Sequence, residues 1–88
     1  LPILIDVEKA VFRIHNNIIK ERVIDKESNC EMELRPKNGI TSESIVIFLL
    51  ELEDELGIEF DDYLPKIRGC KTIGLLIEII REAYENRE

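Results

Sequence analysis

The stretch Gly39-Ile-Thr-Ser-Glu-Ser-Ile-Val-Ile-Phe-Leu-Leu-Glu-Leu-Glu-Asp-Glu-Leu-Gly-Ile-Glu-Phe60 carries both of its own boundaries. Thr41 and Ser42 are hydroxyl residues of the kind that begin helices, and Gly57 is the residue type most often found just past a helix end. The spacing predicts a helix that starts at Thr41 or Ser42 and stops before Gly57. Ile45, Leu49, Leu52 and Leu56, at steps of four, three and four, are expected to form its core stripe. Glu51, Asp54 and Glu55 lie toward the opposite side. Val46, Ile47 and Leu50 fit neither set and spread apolar surface around the first turns. A helix N-terminus exposes unpaired N–H groups and partial positive charge, which suits a phosphate. The two serines, Ser42 and Ser44, can therefore act as ordinary caps, or one of them can carry a phosphodiester.

The same helical period extends in both directions from this stretch. Asp6 is expected to cap a first helix with Glu8 in its first turn, running to about Glu21 or Val23. Val7, Val11, Ile14 and Ile18 form its stripe, widened by Phe12 and Ile19. From about Ile24 to Ile40 the pattern breaks at Asp25, Ser28, Asn29, Pro36, Asn38 and Gly39, which are turn and loop residues. That connection is long for a small domain, and Met32 and Leu34 are expected to pin it to the core. Asp61 to Ile67 predicts a loop or a short helical turn. Thr72 is expected to cap the last helix, with Ile73, Leu76, Ile77, Ile80 and Tyr84 facing inward and Leu75 and Ile79 on another side. Nothing forms a strong strand pattern. The expected fold is an all-α bundle of three main helices plus one short one, a single domain over residues 1–88, with a long first loop.

An 88-residue chain with 44% apolar and 35% charged residues is expected to fold as one domain. At this length only about 60–65% of the unfolded surface is buried, which leaves little room for a deep enclosed active site. The net charge of −7 argues against nucleic acid and against anionic membranes, and favours partners with basic docking surfaces. No apolar run approaches the roughly 18 residues of a membrane span. Leu1–Ile5 lacks the basic flank and cleavage site of a signal peptide, and a start at Leu1 rather than Met is expected of an excised or trimmed domain. Cys30 and Cys70 are too few for a disulfide scaffold; free thiols in a cytoplasmic protein are expected, with a Cys30–Cys70 bridge as the alternative. His15 falls on the flank of the first stripe and is expected at the boundary with solvent. No nucleophile–base spacing, glycine-rich phosphate loop or metal-ligand spacing is evident, so neither catalysis nor a metal is expected.

Gly39-Ile-Thr-Ser-Glu-Ser-Ile-Val resembles the Gly-x-Asp-Ser-Leu signature of acyl and peptidyl carrier proteins. With Ser42 in register, Val46, Phe48, Leu49, Leu50 and Leu52 fall where that family has apolar residues. Leu52-Glu-Asp-Glu-Leu-Gly-Ile-Glu-Phe60 is similar to its Leu-Glu-Glu-Glu-Phe-x-Ile-x-Ile segment. Thr72-Ile73, Leu76 and Ile79 resemble its closing Thr-Val-x-x-Leu-x-x-Ile pattern. The resemblance covers about half of the chain, from Gly39 to roughly Ile80. Thr41 stands where the family usually has Asp, and Glu43 stands where Leu, Ile or Met usually follows the serine. Glu43-Ser44-Ile45 offers a second register, but it brings Leu52 two residues too close to the serine.

The resemblance implies a four-helix carrier-protein-like bundle with covalent 4′-phosphopantetheine on Ser42, attached from coenzyme A by a phosphopantetheinyl transferase. The arm's thiol would hold an acyl or aminoacyl thioester. Its further partners would be the loading enzyme and the downstream synthase enzymes of a polyketide, peptide-synthetase or specialised pathway. Thr41, Glu43, Ser44, Val46, Ile47 and Leu50 are the expected partner-facing residues. Neither nucleic-acid binding nor membrane insertion is implied, and a monomer is expected. The alternative from the residues themselves is an unmodified helical interaction module that binds through Val46, Ile47, Leu50, Leu75 and Ile79.

Overall fold

In the computed structural model, which describes residues 6–86, the chain forms helices α1 (Val7–Glu21), α2 (Ser42–Leu56), α3 (Leu64–Gly69) and α4 (Ile73–Glu85). Short 3-10 turns lie at Pro36–Asn38 and Asp61–Tyr63, and the second runs directly into α3. This is an all-α four-helix bundle of three long helices and one short one, with a long first loop. The Leu1–Ile5 segment lies outside the described residues.

α1 begins where Asp6 accepts a hydrogen bond from the Lys9 amide at 3.2 Å, satisfying one of the free N–H groups of the first turn. It ends in a Schellman motif. The Ile24 amide donates to the Ile19 carbonyl at 3.0 Å, and the Val23 amide donates to the Lys20 carbonyl at 3.1 Å. The residue forced into the left-handed region there is Val23, at φ 55°. A branched side chain in that conformation costs about 1–2 kcal/mol. With Val23 89% exposed, no packing compensates at the side chain itself.

One buried face of α1 packs on both α2 and α4, and α3 closes against α4. Val7, Val11, Ile14, Ile18 and Ile19 are buried as the spacing predicts, joined by Ala10, while Phe12 is half-buried. Their counterparts on α4 are Ile73, Leu76, Ile77, Ile80 and Tyr84, again as predicted, together with Ala83.

Two sequence expectations need correction. The buried stripe of α2 is Ser44, Phe48, Leu52 and Leu56, not Ile45, Leu49, Leu52 and Leu56. Repeated steps of four keep these residues on one ridge, and the inward turn of a serine is tolerated because its hydroxyl is fully hydrogen-bonded. Ile45 and Leu49 take the half-buried shoulder facing α3. The second correction is His15. It is not at the solvent boundary but fully buried, with its ring centroid 6.0 Å from that of Phe48.

The long loop survives in a small domain because its backbone groups find partners. The Leu34 amide donates to Lys71, the Ile73 amide to Met32 and the Gly74 amide to Cys30, each at 2.9 Å. Glu33 and Thr72 form an isolated antiparallel bridge within the same pairing. Met32 is buried and Leu34 half-buried, so both anchor the loop as expected. Gly74 allows the close approach, since a Cβ there would sit 3.1 Å from the Cys30 carbonyl oxygen. Cys30 is thus opposite Gly74 rather than Cys70, and both thiols are free. Burial pushes the Cys70 thiol up, away from the reactive thiolate form.

Candidate functional site

The entrance of α2 is built by the residues that precede it. Gly39 adopts φ +84°, a left-handed conformation, and a Cβ at this position would lie 3.1 Å from the Ile18 side chain. Glycine is required there both for the turn and for the approach to α1. The chain then leaves Ile40 buried and reaches Thr41, the N-cap of α2.

Thr41 and Ser44 form a reciprocal capping box. The Ser44 amide donates to Thr41 Oγ1 at 3.1 Å, and the Thr41 amide donates to Ser44 Oγ at 2.7 Å. Ser44 Oγ in turn donates to the Gly39 carbonyl at 2.6 Å. Ser44 is 5% exposed, so it does not face partners as expected from its sequence position. Its hydroxyl is consumed in holding the turn before the helix.

Ser42 differs in each respect. It is the first residue of α2, it is exposed, and its hydroxyl has no hydrogen-bond partner among the described residues. Glu43 beside it is also exposed, and Thr41 is half-buried. The guanidinium of Arg22, at the end of α1, reaches Thr41 Oγ1 at 3.5 Å. The C-terminal end of α1 thus brings a positive charge to the start of α2. Sequence periodicity gave no hint of Arg22, because the contact spans the whole first loop.

Below the entrance, Val46, Ile47 and Leu50 are 54%, 55% and 58% exposed. Val46 and Leu50 border an open, mainly apolar groove of about 310 Å³ between α2 and the Phe60–Arg68 segment. Ile45, Leu49, Phe60, Leu64 and Ile67 complete its apolar lining, with Glu53, Asp61 and Arg68 at its polar edge. Glu53 also fixes one wall, accepting a hydrogen bond from the Phe60 amide at 2.7 Å. Leu75 is exposed and Ile79 half-buried, but neither lines this groove.

Behind the entrance lies His15. Its Nε2 is 2.8 Å from the Asn38 carbonyl oxygen, which can only accept, so Nε2 carries the proton. Its Nδ1 is then free to accept from the Ser28 hydroxyl at 2.6 Å. Burial holds the imidazole below its ordinary value of 6.5, against the opposing effect of the Asn38 hydrogen bond. A depressed histidine gives stability that is present in full above the unfolded value. That stability is lost as pH falls through the folded value. The urea midpoint is therefore expected to fall between about pH 7.5 and about pH 5 more steeply in the native protein than in His15→Gln. The exposed Glu33 carboxylate, held low by Arg35 and Lys37, is common to both proteins and cancels in the comparison. Equal slopes would assign the acid sensitivity elsewhere.

Among the described residues no cluster of three or more His, Cys, Asp or Glu side chains is placed to hold a metal ion. No helix among them is long and apolar enough to cross a membrane. No protein-family model, curated protein sequence or solved structure matches the chain.

Proposed function

We propose that this domain is a carrier: Ser42 accepts 4′-phosphopantetheine, and the arm's thiol holds an acyl or aminoacyl group for delivery to partner enzymes. The observation that carries this reading is the contrast between the two serines at one helix entrance. The Ser44 hydroxyl is buried and fully bonded, whereas Ser42 is exposed and its hydroxyl has no hydrogen-bond partner among the described residues. This supports Ser42 over Ser44 on grounds independent of the spacing to Leu52.

In the transfer, Ser42 Oγ would form a bond to the pantetheine-bearing phosphorus of coenzyme A. The diphosphate P–O bond would break, adenosine bisphosphate would leave, and the serine proton would pass to the transferase or solvent. The product phosphodiester bears one negative charge. The N–H groups of the first turn and the Arg22 guanidinium offer it compensation. A thiol has a pKa near 8.5, far below that of an alcohol, so it leaves more readily and suits transferable acyl cargo. The chain need supply no acid, base or metal for this role. Val46, Ile47 and Leu50 offer a partner surface next to the arm.

The second reading is an unmodified interaction module. The exposed apolar ridge above a groove favours it, as does the charged Glu43 beside Ser42. Intact mass separates the two. Incubation with coenzyme A and a broad-specificity phosphopantetheinyl transferase is expected to add one phosphopantetheine, and protein from its native cells is expected to carry the same mass. No gain with several transferases, together with an unmodified native protein, would leave the interaction module.

A further inference from the structure

The buried polar side chains of the described core are His15, Asn38 and Ser44. They come from α1, the long loop and α2, and His15 and Ser44 hold the backbone carbonyls of two consecutive residues, Asn38 and Gly39. His15 Nε2–H donates to the Asn38 carbonyl at 2.8 Å. The next residue is Gly39, whose carbonyl accepts from Ser44 Oγ at 2.6 Å. The same Ser44 oxygen accepts from the Thr41 amide at 2.7 Å and thereby closes the cap of α2. Asn38 is further held by its side-chain amide, whose Nδ2 donates to the Glu33 carbonyl at 2.8 Å, and by Lys26 Nζ, which donates to Asn38 Oδ1 at 3.2 Å.

A histidine inside an apolar core is not required for packing. Apolar replacements of buried polar groups are often neutral or stabilising when both partners are replaced. This partner, however, is a backbone carbonyl, and no substitution removes it. The imidazole holds the carbonyl end of the Asn38–Gly39 peptide, whose other end, the Gly39 amide, donates to the Pro36 carbonyl at 2.9 Å. Gly39, in the left-handed region and 3.1 Å from Ile18 if given a Cβ, has few alternative positions within the fold but a freer backbone than any other residue. Its carbonyl direction sets where Ser44 Oγ can bond, and hence where the first turn of α2 begins.

We propose that His15 is a positioning residue for the Ser42 site: by holding the Asn38–Gly39 peptide it fixes the cap of α2 and the placement of the Ser42 hydroxyl. It touches neither the hydroxyl nor any incoming group. The proposal rests on the reading of Ser42 as the attachment point, but its structural half is testable without it. The Ser28 contact plays a different part, since it occupies Nδ1 and holds the far end of the loop.

The test compares the native protein with His15→Phe, which fills similar space without a donor, and His15→Gln, whose amide can keep an N–H toward Asn38. His15→Met, with a flexible side chain that adapts to the cavity, replaces the phenylalanine variant if that protein does not fold. Two quantities are read: amide hydrogen exchange at Ser44 and Ile45 against that at Leu76–Ile80, and the kinetics of phosphopantetheine transfer from coenzyme A. Loss of the donor is expected to speed exchange at the α2 entrance by about tenfold or more while α4 keeps its protection. Transfer is expected to slow by about tenfold to a hundredfold in kcat with KM little changed, because the docking surface is intact and only the nucleophile is misplaced. His15→Gln is expected to restore both. Unchanged exchange at Ser44 and Ile45, equal loosening of α4, or failure of the glutamine variant to restore would each overturn the proposal. If the native protein accepts no arm, the carrier reading falls, and the exchange measurement alone decides whether His15 sets the entrance.

Discussion

Ser42→Ala is expected to abolish phosphopantetheine addition completely while leaving stability within about 0.5 kcal/mol of the native protein, the usual range for surface substitutions. Ser42 is exposed and its hydroxyl bonds to nothing among the described residues, so folding loses no interaction when it is removed. Ser44→Ala is expected to behave in the opposite way. It removes the donor to the Gly39 carbonyl, in a buried setting, and the acceptor for the Thr41 amide, in a part-buried one. The expected cost is about 1–3 kcal/mol, the range for leaving a buried polar group unpaired. The folded fraction should still accept the arm. Intact mass and urea denaturation on both variants check the pair. Addition retained in Ser42→Ala and lost in Ser44→Ala would reverse the register, and with it the assignment of the attachment point.

Phe48→Ala is expected to cost about 3–5 kcal/mol, the largest stability effect of any single truncation proposed for this domain. Phe48 has no exposed surface. It sits in the middle of the buried ridge of α2, between Ser44 and Leu52, and its ring lies 6.0 Å from that of His15. Truncation therefore leaves a cavity at the junction of α1 and α2, beside the His15 and Ser44 hydrogen bonds to the loop. Globular domains have about 0.05–0.15 kcal/mol of stability per residue, or about 4–13 kcal/mol for a chain of this length. Losing 3–5 kcal/mol would remove between a quarter and all of it. The check is a shift in urea midpoint with an unchanged slope. A loss below about 1.5 kcal/mol would show that the surrounding aliphatic side chains collapse to fill the space.

Helix boundaries were legible because their determinants are local. Asp6, Thr41, Thr72 and Gly57 cap the helices at the positions their side-chain and backbone preferences predict. The inner faces of α1 and α4 were legible as well, since each is a single strong stripe. α2 was harder. Its first half is apolar on several sides, with Ile45, Val46, Ile47, Phe48, Leu49 and Leu50 in unbroken succession. Periodicity cannot rank six adjacent apolar residues, and the step from Ser44 to Phe48 was hidden because a serine does not look like a core residue. His15 was missed for the same reason. Its burial depends on a loop carbonyl from Asn38 and a hydroxyl from Ser28, 23 and 13 positions away.

By itself, the sequence determined that the chain is all-helical, where its three long helices begin and where the second ends, and that a serine-bearing turn opens the second of them. Those properties follow from capping, turn chemistry and the 3.6-residue period, which act over a few neighbouring residues. Only the tertiary structure decided that Ser44 turns inward while Ser42 stays exposed, that Arg22 reaches the same entrance, and that His15 lies behind it. Each depends on the long loop folding back to join α1, α2 and α4. Burial and hydrogen-bond partners are properties of that assembled interior, and local spacing does not encode which of two neighbouring serines will face it.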